Sequence, residues 1–129
     1  MKTLLLSVAL PFELTNGNEG RTKTWYRPAQ IRMRFEYQLK LLGLTRSPFP
    51  QPVNVLVTRL LGKSQRLWDS SSIGRGNYKE LEDALVAVGW FHNDSPKWIQ
   101  NTHFQQKKSS DDKPAILIEV FSTGETDDI

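Results

Sequence analysis

No cysteine occurs among the 129 residues, so neither disulfides nor cysteine–zinc clusters can brace the fold. That absence fits a reducing compartment, and the expected location is cytoplasmic. Histidine is scarce as well: His92 and His103 do not stand at the spacing of a metal motif. No apolar run approaches the roughly 20 residues that cross a bilayer, so no membrane partner is expected. Internal repeats and low-complexity blocks are missing too. The apolar opening, Leu4 to Leu10 behind Lys2, stops at Pro11-Phe12-Glu13 without a small-x-small cleavage site. It reads as a buried first strand rather than a secretory leader.

What is present is enough for one ordinary core. Hydrophobic residues make up 38% of the chain, and a domain of this size buries roughly two-thirds of the surface its unfolded chain exposes. Charge is distributed unevenly, which the formal total of +3 conceals. From Arg21 to Arg46, the cations Arg21, Lys23, Arg27, Arg32, Arg34, Lys40 and Arg46 face only Glu36. From Arg59 to Lys79, the cations Arg59, Lys63, Arg66, Arg75 and Lys79 face only Asp69. The final segment is acidic, with Asp111, Asp112, Glu119, Glu125, Asp127 and Asp128. A basic front half is an electrostatic footprint for a polyanion, although a solvated charged surface gives the same pattern. On this reading Arg21, Lys23, Arg27, Arg32, Arg34, Arg59, Lys63 and Arg66 are the candidate DNA-binding cations.

The apolar periodicity predicts an α+β fold. Residues 2–10 form a strand, and residues 13–27 form a polar loop around Asn16-Gly17-Asn18. A helix over 28–42 begins at Pro28, stripes Ile31, Phe35, Leu39 and Leu42 along one face, and stops at Gly43. Val53 to Leu61 alternates as a strand with both faces partly buried, with Val53, Val55, Val57 and Arg59 on one side. A second helix starts near Asn77, where Glu80 completes a capping-box pattern, and ends at Gly89. Its apolar stripe is Leu81, Ala84, Leu85 and Val88. Strands follow over 97–106 and 115–121. The order β-α-β-α-β-β predicts a single domain over 1–121, with two helices on a mixed sheet, and a flexible acidic tail over 122–129.

Two acids bracket the second helix. Asp69 ends the strand and loop before it, and Asp94 lies just beyond it. If the helix folds back over the sheet, the two carboxylates converge and need a cation between them; hard oxygen ligands of this kind suit Mg²⁺. Each acid also has an ordinary reading as a cap or turn residue. Lys79 can pair with Asp83 across one helical turn, or steady charge on a phosphate. Trp90 and Phe91 read as core or dimer contacts, and Trp25 and Tyr26, between Lys23 and Arg27, as bases' stacking partners or packing.

These residues resemble the RusA family of Holliday-junction resolvases. That family carries an Asp-x-Asp-Asn run, a helix with a Lys and an Asp-x-Leu pattern, then Gly, an aromatic or apolar residue and an Asp-Asp pair. Here Asp69 stands at the first acid, Asp83-Ala84-Leu85 at the helix pattern, and Gly89-Trp90-Phe91-His92-Asn93-Asp94-Ser95-Pro96-Lys97 at the segment after the helix. The resemblance covers residues 50–121 best. It implies an endodeoxyribonuclease that resolves four-way junctions or related branched DNA by paired phosphodiester cleavage, acting as a homodimer with Mg²⁺, for which Mn²⁺ substitutes. Family members are encoded by bacteria, phages or prophages. The implied catalytic residues are Asp69, Asp94 and Lys79, and the implied metal ligands are Asp69, Asp94 and Asp83. Ser71 and Asn93 depart from the pattern, because each stands where the family has an acid. Glu80 or Asp83 can fill that gap, and Arg75 is a second candidate for the assisting cation. The alternative is a weak or inactive relative that binds branched or single-stranded DNA.

Overall fold

A computed structural model describes residues 2–12, 27–63, 65, 67 and 77–123. Strand β1 is Leu4–Leu10, helix α1 is Pro28–Leu41, strand β2 is Val53–Leu61, helix α2 is Tyr78–Ala87, strand β3 is Ile99–Lys108 and strand β4 is Ala115–Ser122. The result is an α+β domain with a mixed four-stranded sheet, in the element order read from the sequence. The expected polar loop over 13–27 lies almost wholly outside the described residues, as do Asp69, Ser71, Arg75, Trp25, Tyr26 and residues 124–129 of the expected tail, whose first residue, Ser122, is the last of β4.

The sheet runs β1-β4-β2-β3. β4 is antiparallel to both β1 and β2, whereas β2 and β3 are parallel. β1 and β2 therefore point the same way, and each helix is a crossover between strands of one direction. Both crossovers advance the same way across the sheet, so connections of one hand put both helices on one face. The helices accordingly pack against each other. The core fills the space beneath them: Val55, Val57, Ile116, Ile118, Val120 and Leu10 from the sheet meet Phe35, Leu39, Leu81, Ala84 and Leu85 from the helices. Leu42 does not complete the expected stripe. It is the C-cap of α1, where the chain leaves the helical path toward Gly43, and it is 47% exposed.

The side-chain cap expected from Asn77 at α2 is not formed. Asn77 takes φ −95° and ψ 17°, outside the extended conformation of a capping residue, and makes no side-chain cap bond. The C-terminal end of α2 is set firmly. Gly89 has φ +97°, and a Cβ on it would lie 2.0 Å from the carbonyl oxygen of Arg46. Around this close approach, the Arg46 amide donates to the Val88 carbonyl at 3.2 Å and the Phe49 amide to the Trp90 carbonyl at 3.4 Å. Trp90 is fully buried and donates through Nε1 to the Leu44 carbonyl at 2.6 Å, while Phe91 packs on Phe49. Of the two readings of Trp90 and Phe91, the core reading describes this domain. These contacts pin the segment that delivers Asp94.

Candidate metal and phosphate site

Lys79, Glu82 and Asp83 share one face of α2, because residues three and four apart are neighbours on a helix. The chain after α2 brings Asp94 back to that face. Asn93 forms the turn that does this: its Oδ1 accepts from the Ser95 amide at 2.9 Å, and the Ser95 carbonyl then accepts from the Trp98 and Ile99 amides. The Lys79 ammonium lies in the middle of the group. It donates to Asp94 Oδ2, stands 3.1 Å from Asp83 Oδ1 and 3.5 Å from Glu82 Oε1. One oxygen from each of Glu82, Asp83 and Asp94 lies within 4.8 Å of the others.

The electrostatics follow from this arrangement. The bond to Asp94 raises the Lys79 pKa above its ordinary value, with Asp83 and Glu82 adding to the effect against a desolvation cost. The same bond holds the Asp94 carboxyl below the usual range. Glu82 behaves oppositely: burial dominates and pushes its carboxyl up, even with Lys79 nearby. Three carboxylates against one ammonium leave a formal double negative charge, and oxygen donors at this spacing suit a hard divalent cation. The described residues thus hold a cluster that can coordinate a divalent metal.

Several expected residues fall elsewhere. Asp94, Asp83 and Lys79 come together; Asp69, Ser71 and Arg75 lie outside the described residues. Glu80 is not in the cluster. It is buried, in the wall of a groove of about 290 Å³ between α1 and α2, lined by Pro28, Ala29, Arg32, Lys79, Glu80 and Asp83. Asn93 is exposed and its side-chain carbonyl serves the turn, not the cluster. His92 packs against Trp98 with ring centroids 4.2 Å apart and the rings tilted by 43°, and His103 is exposed on β3. Glu82 was not among the residues singled out in the sequence. The available signal was its position three residues after Lys79, the spacing that also marks Asp83 at four.

Among the expected DNA-binding cations, Arg27, Arg34 and Lys63 are exposed. Arg32 is partly exposed and pairs through Nε with Glu36 at 3.1 Å. Arg59 departs from its expected place at a phosphate surface. Only 5% exposed, it donates from Nη1 to Gln106 Oε1 at 3.0 Å, because it shares the inward parity of Val53, Val55 and Val57. Arg21, Lys23 and Arg66 lie outside the described residues. No family model matches the chain, and no curated protein matches it either. Among the described residues, no helix is long and apolar enough to cross a membrane.

Proposed function

We propose that this chain is a Mg²⁺-dependent endodeoxyribonuclease of the RusA type that nicks four-way junctions or related branched DNA. The observation that carries the reading is the return of Asp94 to the Lys79 face of α2, beside Asp83 and Glu82. Asp94, Asp83 and Glu82 would hold the ion; Asp69, ahead of α2, is the further ligand that the resemblance implies. A bound divalent cation supplies a lowered pKa for water and charge stabilisation at a phosphodiester. As the ion enters, the Lys79 ammonium would leave the middle of the cluster, and from its edge it would steady charge on a non-bridging phosphate oxygen. The exposed cations Arg27 and Lys63 supply contacts to the phosphate backbone without reading bases, whereas Arg34, which does not line the groove, makes no such contact. The resemblance further implies a homodimer, whose twofold symmetry suits paired nicks in opposing strands.

A non-catalytic binder of branched or single-stranded DNA is favoured by a different observation. Asn93 spends its side-chain carbonyl on the Ser95 amide, so the position where the family has an acid adds no charge to the cluster. One experiment separates the two readings. The protein is incubated with a synthetic four-way junction in Mg²⁺, in Mn²⁺ and in chelator, alongside Asp94→Asn. Metal-dependent paired nicks that vanish in the variant support the nuclease. Tight binding with no nicks in either metal overturns it and leaves the binder.

A further inference from the structure

The groove between α1 and α2 shares two of its lining residues, Lys79 and Asp83, with the carboxylate cluster, and Arg32 projects into it from α1. We propose that Arg32 is the phosphate clamp of this groove, gripping a DNA phosphate close to the one cut at the cluster. The inference rests on the nuclease reading for the meaning of "cut", but the contact itself is testable by binding alone.

Three observations support it. The first is position. A groove of about 290 Å³ is too small for a duplex and takes about one sugar-phosphate unit of a single strand, on the scale of small-ligand sites. A strand lying there would pass directly to Lys79. The second is the state of the guanidinium. Glu36, one helical turn away, engages Nε at 3.1 Å, and this is the partner Arg32 has among the described residues. The carboxylate thereby orients the side chain while leaving the terminal nitrogens for another acceptor. Those nitrogens form the fork that matches a phosphate in two parallel hydrogen bonds. The third is the local field. The first turn of α1 carries no acidic residue, and Arg27 precedes it, so the one acid of α1 that a phosphate at Arg32 would meet is Glu36, whose charge is already paired with Arg32. Glu80 and Asp83 do line the groove, but Glu80 is buried and Asp83 is held by Lys79.

Arg34 provides the control. It is on the same helix, carries the same charge and is exposed, but it does not line the groove. The test measures binding of a fluorescein-labelled four-way junction across a KCl titration without divalent metal, and nicking of the same junction in Mg²⁺, for the unmodified protein, Arg32→Ala, Arg32→Lys, Arg34→Ala and Glu36→Gln. Loss of a single phosphate contact is expected to reduce the slope of log K against log salt by about 0.9 in Arg32→Ala. Arg34→Ala is expected to keep the slope, and Arg32→Lys to restore most of it while nicking less efficiently, because a point charge replaces the fork. Glu36→Gln gives a sign test. If the basic surface acts only through its summed charge, removing an acid strengthens binding; if Glu36 orients the clamp, binding weakens. Equal slopes for Arg32→Ala and Arg34→Ala, or tighter binding by Glu36→Gln, overturn the proposal. A junction that is bound through Arg32 but never nicked sinks the nuclease reading and leaves the clamp. No binding even at low salt overturns both.

Discussion

The two helices are built from the same local rules and do different work. Helix α2 buries Leu81, Ala84 and Leu85 completely and gathers Lys79, Glu82 and Asp83 on the opposite side. Helix α1 anchors through Phe35 and Leu39 and leaves Met33, Tyr37 and Leu41 largely exposed among its cations. The carboxylate cluster projects from the helix whose inner stripe is fully packed. The same contrast appears where each helix ends. Both stop at a left-handed glycine, but Gly43 (φ +71°) has nothing within 4 Å of a Cβ position, whereas Gly89 is pressed against the Arg46 carbonyl.

The largest effect expected from this comparison is at those glycines. Gly89→Ala forces a Cβ into backbone and adopts a strained φ, which should cost about 3 kcal/mol or more and loosen the loop holding Asp94. Gly43→Ala meets only the conformational penalty, about 1 kcal/mol. Urea denaturation of both variants checks the ordering, and similar losses would mean that the Gly89–Arg46 approach does not matter. Next come the apolar stripes. Leu85→Ala, at a fully buried position, should lower stability by about 3 kcal/mol, whereas Leu41→Ala, 68% exposed, should change it by less than about 0.5 kcal/mol.

Charge substitutions on the α2 face should have small effects on stability and large effects on chemistry. Asp94→Asn removes a partly exposed bond to Lys79, so solvent screening limits the loss to about 0.5–1 kcal/mol. Metal-dependent nicking should nevertheless disappear. Glu82 has the opposite linkage to Asp94. The Asp94 pKa is lowered on folding, so its contribution is present above its ordinary value of 3.8 and is lost as pH falls through the folded value. The Glu82 pKa is raised by burial, so its charge opposes folding at neutral pH, and protonation relieves that cost as pH falls toward 4.5. At neutral pH and without metal, Glu82→Gln should therefore keep or slightly raise Tm while Asp94→Asn lowers it. Thermal melts across pH 3 to 8, where these carboxyls titrate, show whether the two variants diverge in these directions. Parallel behaviour would show that Lys79, not burial, governs both acids.

Much of this was legible in the sequence because it depends on period. Strand β2 and the buried stripe of α2 follow from alternation and three-to-four spacing, and both glycine stops fall where they were read. The pairing of Lys79 with Asp83 follows from the same spacing. The return of Asp94 is a tertiary fact, set by Gly89, Trp90 and the Asn93 turn; the sequence suggested a return toward Asp69, which lies outside the described residues. Arg59 carried a readable signal in its parity with Val53, Val55 and Val57, yet its charge suggested a surface. The Asn77 side-chain cap failed because a sequence pattern does not fix the backbone angles of Asn77. Glu82 was one of three acids on α2, and beyond its spacing from Lys79 it is the approach of Asp94 that brings it into the cluster.

The account stands or falls on whether Asp94 and its α2 partners take up a divalent ion. Titrating the protein into Mn²⁺ and following the free-ion electron paramagnetic resonance signal measures this directly. The unmodified chain should deplete the signal saturably at one site, Mg²⁺ should restore it by competition, and Asp94→Asn should deplete it far less. Equal depletion by the unmodified chain and Asp94→Asn, or none by either, would contradict the account.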